Sequence, residues 1–343
     1  MLYIVMTTPL CNLHCSYCGG SLHGMPDDIS YDFDLLQKHV EKDDDAIVAF
    51  YGGEPLLRPQ VVKFFLQRLP AKRFVINTNG YFIESISDVL SSFDTILLSI
   101  DGRKKITDNY REHGCYDQVL HARDLINESG FQGELIARMA VSKNTDIFED
   151  VTHLLRLFPL VHWQLDVVWS ALWGLADFKR WAEQSYKPGL KRLIDDWING
   201  IKKDDILGII PFLGIMTRLF YPKEFFGLPC QAGDNAIAIT TDGKILACPI
   251  APDFEWNNLG SLSKGFKQIH VDDPCPSCDV YSVCGGRCLF ANKQRLWGKE
   301  GFDAVCDVTK FLIHELEKYK DSLEPFKENI KYPPFNNTTE IIP

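Results

Sequence analysis

Three cysteines near the start of the chain have the spacing of metal ligands. Cys11, Cys15 and Cys18 lie in CNLHCSYC, directly after the apolar run LYIVM. A closed site satisfies every coordination position with protein, but the next cysteine along the chain is Cys115. Disulfides would leave one of three thiols unpaired, and no secretory signal precedes them. The loop therefore predicts a [4Fe-4S] cluster whose fourth iron stays open to a reacting ligand.

The C-terminal third carries a second group of cysteines. Cys230 and Cys248 come first, then CPSCDVYSVCGGRC with C-x2-C-x5-C-x3-C spacing, and finally Cys306. Because cytosolic thiols stay reduced, eleven cysteines in a chain without a signal indicate metal binding. Zinc is the alternative to iron, since two C-x2-C-like knuckles also hold zinc ions. Cys115 fits neither group and is predicted to be a plain buried or half-buried thiol at the start of a helix.

The first half of the chain alternates short apolar runs with amphipathic stretches, which is the pattern of βα units around a parallel sheet. The predicted strands are Leu2 to Thr7, Ala46 to Tyr51, Arg73 to Asn77, Thr95 to Ile100, Leu135 to Val141 and His162 to Val167. The fold class is therefore α/β, a partial (β/α)6 TIM-type barrel with a small cysteine-rich domain at the C-terminus. The expected boundaries are 1–170 for the barrel, 171–229 for a helical connector, 230–325 for the cysteine-rich domain and 326–343 for a tail.

Polar and glycine-rich motifs follow each of the first four predicted strands. CNLHCSYC follows the first strand, YGGEP ends the second, NTNG ends the third and SIDG ends the fourth. Each motif alone is an ordinary turn signal. In a barrel of this type, however, the loops after the strands meet at one face and carry the chemistry. The four motifs together predict a site at that face.

Composition limits the classes of partner. A net charge of -10 disfavours nucleic acid, because phosphate binding needs clustered Lys and Arg. The most apolar window, ILGIIPFLGIM, is too short to cross a membrane and contains a proline. We therefore expect a cytoplasmic protein without a membrane or nucleic-acid partner.

The C-x3-C-x2-C loop, with Tyr17 before its last cysteine, and the GGEP motif on the second strand resemble the radical S-adenosylmethionine (radical SAM) superfamily. The resemblance implies that three thiolates hold a [4Fe-4S] cluster and that the amino and carboxylate groups of SAM chelate the fourth iron. Reductive cleavage of SAM then gives a 5′-deoxyadenosyl radical, which abstracts a hydrogen atom from the substrate. This chemistry belongs to the cofactor, while the protein positions and shields it.

The resemblance also implies a set of SAM-binding residues: Tyr17, Gly52, Gly53, Glu54, Pro55, Asn79, Ser99, Asp101 and Arg111. The two glycines let the backbone approach the ligand, Glu54 accepts from the SAM ammonium, and Pro55 stiffens the loop. Ser99 and Asp101 bond to the ribose or the carboxylate, and Arg111 pairs with that carboxylate. Two simpler alternatives remain, an Asx turn for Asp101 and a solvated surface position for Arg111.

The order of the seven C-terminal cysteines resembles the SPASM domain, which implies two auxiliary [4Fe-4S] clusters and three clusters in all. In that arrangement Cys306 completes the cluster of Cys275, Cys278 and Cys284. Cys288 crosses to join Cys230 and Cys248, as the fourth cysteine does in ferredoxin-type runs. The second auxiliary cluster then has three thiolates. Glu224 is the candidate oxygen ligand upstream, and an open iron that binds a substrate thiol is the alternative.

SPASM proteins commonly modify peptides or proteins. In sulfatase-maturing relatives an aspartate base follows the second SPASM cysteine, but Pro249 follows Cys248 here, which disfavours that activity. We therefore predict an anaerobic peptide-modifying oxidoreductase that forms a thioether or other cross-link, or a related oxidation, with ferredoxin or flavodoxin as reductant. The alternatives are a maturase acting on a protein partner and a non-catalytic iron-sulfur or zinc scaffold. The catalytic base is not identified by the sequence.

Overall fold

A computed structural model describes residues 1–18, 24–168, 172–222, 227–250, 252–332 and 342–343. Glu224, the candidate oxygen ligand, lies outside these residues. The chain forms two compact units, each assembled from three separate stretches. Unit 1 contains Met1–Ile100, Thr107–Ile136 and Gln231–His270. Unit 2 contains Asp101–Ile106, Ala137–Cys230 and Val271–Pro343.

Unit 1 is built on a sheet whose central strands are parallel. Its strands are β1 (Leu2–Met6), β2 (Ile47–Tyr51), β3 (Arg73–Thr78) and β4 (Thr95–Ser99), followed by the start of β5 (Glu134–Val141). β1 pairs with β2, β2 with β3 and β3 with β4, all in parallel. All five residues of β4, TILLS, are buried, as expected of a parallel strand covered on both faces.

Four further strands of unit 1 come from the C-terminal third: β7 (Ala236–Ile239), β8 (Lys244–Leu246), β9 (Asn258–Ser261) and β10 (Gly265–Phe266). β7 lies parallel to β1, and β8, β9 and β10 continue the sheet in antiparallel order. Because the two neighbours of β1 are β2 and β7, the parallel sheet does not close into a full barrel. The predicted α/β partial barrel is confirmed, and the antiparallel extension was not foreseen.

In unit 2, the end of β5 has β6 (Leu160–Leu165) as its neighbour. All six predicted strands exist, and every boundary agrees to within two residues. The agreement follows from the apolar runs themselves, which are long enough to be buried and are bounded by polar or glycine-rich turns.

The helices of unit 1 pack on its sheet: α1 (Phe33–Val40), α2 (Pro59–Arg68), the end of α3 (Lys104–Tyr110) and α4 (Cys115–Glu128). The carboxylate of Asp32 caps α1 by accepting from the backbone N–H of Asp34 at 3.0 Å. Inside the unit, the Phe50 ring stacks on Phe74 and meets Phe93 edge to face, with centroids 6.2 and 6.1 Å apart.

Unit 2 is mainly helical. Its helices are α5 (Ile147–Leu155), α6 (Leu175–Trp181), α7 (Lys187–Ile201), α8 (Ile210–Phe220), α9 (Tyr281–Cys284), α10 (Leu289–Gln294), α11 (Gly298–Glu317) and α12 (Lys320–Leu323). Trp163 of β6 lies in the core, where its indole N–H donates to the hydroxyl of Tyr186 at 2.8 Å. Within the described part of the chain, no helix is both long and apolar enough to cross a bilayer.

Candidate active site and cysteine-lined cavity

The loop from Cys11 to Cys18 follows β1 in unit 1 and is held by backbone contacts. The N–H of Cys18 donates to the carbonyl of Cys15 at 2.9 Å, and the N–H of Ser16 donates to the carbonyl of Tyr110 at 2.8 Å. Cys11 and Cys18 are exposed and Cys15 is half-buried. The three predicted cluster ligands therefore lie on one anchored loop that a ligand can reach.

The GGEP loop after β2 lies directly against this cysteine loop. Gly53 N–H donates to the carbonyl of Thr8 at 2.9 Å, and Glu54 N–H donates to the carbonyl of Leu10 at 2.8 Å. A Cβ atom on Gly52 would lie 2.3 Å from the Thr8 oxygen, and one on Gly53 would lie 2.1 Å from the Leu10 oxygen. The glycines thus permit close approach of the two loops. Their approach to SAM stays a prediction.

The Glu54 side chain joins the ends of β2 and β3. It is 1% exposed. Its Oε1 accepts from Leu56 N–H at 2.9 Å and from the Thr78 hydroxyl at 2.7 Å, and its Oε2 accepts from Asn79 N–H at 2.8 Å. Burial raises the pKa of Glu54 to about 7, although these three hydrogen bonds oppose the shift. A carboxylate has about four acceptor positions, so one remains for a further donor such as an ammonium group.

Glu54 and Cys11 lie close enough to influence each other. Desolvation of the Cys11 thiol raises its pKa, a hydrogen bond from Leu13 N–H lowers it, and the charges of Glu54 and Cys18 raise it further. The N–H of Leu13 lies 3.4 Å from the Cys11 sulfur. The site thus combines thiols with a buried carboxyl group.

Asn79 adds an amide to the same place. Its Nδ2 donates to Asn12 Oδ1 at 2.8 Å and lies 3.9 Å from the Cys11 sulfur. Its Oδ1 accepts from the N–H of Tyr81 at 3.1 Å, which fixes the orientation of the amide. Asn12 is a contact that sequence reasoning missed, although it stands inside CNLHCSYC.

Tyr17 and Arg111 pack together beside the cysteine loop. The Tyr17 ring is buried, with its centroid 5.9 Å from that of Tyr110, and the Arg111 guanidinium lies 5.6 Å from the Tyr17 centroid. At that distance a cation and an aromatic face attract each other. Because Arg111 is 8% exposed, the alternative of a solvated surface position is wrong.

The remaining predicted SAM contacts divide between the two units. Pro55 and Ser99 are buried in unit 1. Asp101 is the first residue of unit 2 and is fully buried. Its side chain accepts a hydrogen bond from the backbone N–H of Ala140 on β5 at 2.9 Å. Asp101 thereby fixes the end of β5, and its bond to the ribose stays a prediction.

Asp166, directly after β6 in unit 2, is a candidate functional residue that sequence reasoning missed. It is fully buried, and its Oδ1 accepts from the Trp173 indole N–H at 3.0 Å. Its Oδ2 is buried and has no hydrogen-bond partner among the described residues. Burial raises the pKa of Asp166 to about 6, the bond from Trp173 opposes this, and the charge of Asp101 adds to it. The sixth strand was predicted to end at Val167, so Asp166 was placed inside the strand, whereas β6 ends at Leu165 and Asp166 directly follows it.

Four of the C-terminal cysteines surround one cavity of unit 2: Cys275, Cys278, Cys284 and Cys306. These are the four predicted ligands of one auxiliary cluster. Among the described residues, no three His, Cys, Asp or Glu side chains are arranged to hold a single metal ion. A zinc ion would draw its sulfurs to within about 4 Å of one another, because each Zn–S bond is about 2.3 Å. Which metal centre these four thiols hold stays a prediction.

Burial raises the pKa of three thiols of this cavity, those of Cys275, Cys284 and Cys306. Burial raises the pKa of Cys284 to about 12, and that of Cys306 to about 11. The charge of Arg287, which also lines this cavity, lowers the pKa of both thiols. The Asn292 amide donates to the Cys275 sulfur at 3.3 Å. Because a ligating thiol must lose its proton, metal binding here releases protons.

The other predicted ligand set is spread over both units, since Cys230 and Cys288 belong to unit 2 and Cys248 belongs to unit 1. Asn257 brackets Cys248 by accepting from its N–H and donating to its carbonyl, both at 2.8 Å. Their shared cluster stays a prediction. Cys115 is fully buried at the first residue of α4, as predicted.

The chain is similar to known proteins in sequence and in fold. Residues 5–157 match the Radical SAM superfamily model. This segment of the chain is therefore similar to a radical SAM domain. The chain is also 24% identical over 282 residues to the GTP 3′,8-cyclase of Alkaliphilus metalliredigens (strain QYMF), a match that covers 71% of this chain and 79% of that enzyme.

Two groups of solved structures share the fold. Native anSMEcpe with bound AdoMet has a TM-score of 0.70 at 18% identity and covers 96% of this chain and 100% of its own. The same protein with AdoMet and the Cp18Cys peptide has a TM-score of 0.69 at 19% identity, with 96% and 99% covered. Streptococcus suis SuiB bound to precursor peptide SuiA has a TM-score of 0.58 at 17% identity, with 84% and 72% covered. The likeness to native anSMEcpe extends beyond residues 5–157 and shows a shared fold over 96% of this chain.

Proposed function

We propose that this protein reductively cleaves SAM and modifies a ribosomally made peptide by hydrogen-atom abstraction, forming a thioether or other cross-link or a related oxidation. The proposal rests on the close contact between the cysteine loop and the GGEP loop in unit 1. Two backbone hydrogen bonds and two glycines without room for a side chain hold three thiols beside the carboxyl group of Glu54.

In the proposed site Cys11, Cys15 and Cys18 hold the [4Fe-4S] cluster. When bound, the cluster and SAM supply the 5′-deoxyadenosyl radical. Glu54 has one acceptor position left for the SAM ammonium, and Arg111 offers a buried cation for the SAM carboxylate. Tyr17 holds the Arg111 guanidinium against its ring and limits the directions in which that cation can point.

The cysteine-lined cavity of unit 2 is the proposed place of an auxiliary cluster. Together with the set of Cys230, Cys248 and Cys288, it brings the proposed total to three clusters, with ferredoxin or flavodoxin as reductant. Val167 lines this cavity and directly follows Asp166 at the end of β6. In unit 2 the buried carboxylate of Asp166 is therefore only one residue away from Val167 in the wall of the proposed auxiliary-cluster cavity.

A peptide is favoured as substrate because two proteins of the same fold were solved with peptides, anSMEcpe with Cp18Cys and SuiB with SuiA. Pro249 follows Cys248 and cannot take a proton, which weighs against the maturase alternative with a base at that position. The match to a GTP 3′,8-cyclase makes a nucleotide the second candidate substrate.

Isotope transfer distinguishes these substrates. The reconstituted enzyme is incubated with SAM, dithionite and a synthetic peptide pool deuterated at the Cα and Cβ positions of Cys, Ser and Thr. We expect deuterium in the 5′-deoxyadenosine, measured by mass spectrometry. A parallel reaction uses GTP deuterated at C3′. Transfer from GTP alone would replace the peptide proposal, and absence of SAM cleavage in every reaction would favour a non-catalytic scaffold.

A further inference from the structure

Arg287 is a buried cation beside the cysteine-lined cavity of unit 2. It is 4% exposed and stands between Gly286 and Cys288 in the run CGGRC. Its Nε donates to the carbonyl oxygen of Pro343 at 2.7 Å. Its Nη1 and Nη2 are buried, and neither has a hydrogen-bond partner among the described residues. Two strong donors are therefore buried without an acceptor.

The backbone forces Arg287 into this position. Arg287 has a φ of 59°, and the two preceding glycines have φ values of 61° and 94°. A Cβ atom on Gly285 would lie 1.7 Å from the carbonyl oxygen of Gly227, and one on Gly286 would lie 2.9 Å from a methyl carbon of Val271. A left-handed φ is unfavourable for arginine. Such strain at a buried charged residue indicates that the position of its side chain matters.

The guanidinium faces the cavity that Cys275, Cys278, Cys284 and Cys306 surround. The described lining contains three cations, Arg287, Arg295 and Lys310, and no carboxylate. A buried, unpaired cation is strongly unfavourable unless an anion compensates it. A [4Fe-4S] cluster with four thiolates is anionic, and its sulfurs accept hydrogen bonds.

We propose that Arg287 is a redox-positioning residue, whose Nη groups donate hydrogen bonds to the sulfurs of the cluster held by these four cysteines and thereby favour its reduced form. This inference rests on the ligand set proposed above. Reduction adds one electron, so the cluster becomes more negative and each charge-assisted hydrogen bond becomes stronger. Hydrogen bonds to cluster sulfurs and net charge are known determinants of cluster potential.

The size of the effect follows from the two donors. Loss of the charge-assisted hydrogen bonds should change the ratio of reduced to oxidised cluster at least about tenfold, which is about 59 mV for a one-electron couple. The shift is toward lower potential, because the reduced form loses more stabilisation than the oxidised form. Buried donors are not replaced by solvent, so salt should screen the effect only weakly.

The test measures midpoint potentials by EPR-monitored redox titration of anaerobically reconstituted protein. Cys11, Cys15 and Cys18 are all replaced by Ala, so that only auxiliary clusters remain. In this background we expect R287Q to lower the midpoint potential of one cluster by at least about 59 mV. R287K keeps the charge but not the planar fork, so it should lower that potential less. R295Q is the matched control, because Arg295 lines the same cavity but already donates to the carbonyls of Asn292 and Asp273.

An unchanged midpoint potential in R287Q overturns the inference. If R287Q takes up no iron, R287K is measured instead, and an unchanged midpoint potential in R287K overturns it. A shift in R295Q as large as in R287Q also overturns it, because bulk charge would then explain the potential. These outcomes differ from failure of the proposed ligand set. In that case the background protein itself would hold zinc, or no iron, at these cysteines, as elemental analysis would show.

Discussion

Gly53→Ala is the substitution that tests the close contact between the cysteine loop and the GGEP loop. The added Cβ would lie 2.1 Å from the carbonyl oxygen of Leu10, a distance that must lengthen by about 1 Å before the contact is tolerable. The atom in the way is backbone, so no side-chain rotation can relieve the contact. The two loops must separate.

Separation of the loops breaks two backbone hydrogen bonds, from Gly53 N–H to Thr8 and from Glu54 N–H to Leu10, at 2.9 and 2.8 Å. Each contributes about 1 kcal/mol, and displacement of Glu54 strains its own three hydrogen bonds. We therefore expect a loss of about 2 to 4 kcal/mol in the free energy of unfolding. We also expect a clear loss of iron at the cysteine loop.

The assay combines urea denaturation with iron analysis of the reconstituted protein. Gly174→Ala is the matched control, since a Cβ there would meet nothing within 4 Å and Gly174 has an ordinary φ of -86°. We expect the control to retain wild-type iron content and to lose at most about 1 kcal/mol of stability, since Gly174 is the N-cap of α6 and Ala is a poorer N-cap than Gly. Wild-type stability and iron content in Gly53→Ala would refute the argument that the GGEP loop holds the cysteine loop in place.

Three further substitutions test single side chains. Because the folded-state pKa of Glu54 is raised to about 7, its neutral form is favoured. Wild-type stability should fall by about 3 kcal/mol relative to E54Q as the pH rises from about 4 to 8 in urea titrations without SAM, and parallel pH curves would contradict this. Asp166→Asn removes a buried carboxyl group whose pKa is about 6, so its stability relative to wild type should increase as the pH rises through 6. A difference that does not change with pH would show that the carboxyl group does not titrate there. Arg111→Gln should weaken SAM binding by about tenfold in equilibrium dialysis, while Arg123→Gln, at a surface ion pair with Asp124, should not. Equal affinities in both variants would remove Arg111 from the site.

The parallel strands and the cysteine loop were predictable because their signals are local. Each parallel strand is a continuous apolar run, and each motif of unit 1 follows such a run directly. The contact of GGEP with CNLHCSYC follows from the pairing of β1 with β2, which sets the two loops side by side. The antiparallel extension was not predictable in this way, because β10 has only two residues and depends on its partner strands.

The missed functional groups depend on tertiary structure. Asp166 directly follows an apolar strand, but its bond from Trp173 and the lack of a donor to its Oδ2 among the described residues arise only on folding. Arg287 stands among cysteines in the sequence, yet its burial and its two unpaired donors result from the turn at Gly285 and Gly286. Glu54 was predicted as a ligand-binding residue, and its three internal hydrogen bonds show a structural function that the motif alone does not reveal.

Formation of 5′-deoxyadenosine is the measurement that tests the central claim most directly. Anaerobically reconstituted protein is incubated with SAM and dithionite, and the product is quantified by chromatography and mass spectrometry. We expect the wild type to form 5′-deoxyadenosine. The variant with Cys11, Cys15 and Cys18 replaced by Ala should form none, because the cysteine loop then has no thiolate to hold the cluster that SAM chelates. A Cys115→Ala control, at a buried thiol outside the predicted ligand sets, should retain the reaction. Undiminished 5′-deoxyadenosine formation by the triple variant would contradict the assignment of these cysteines to the SAM-binding cluster.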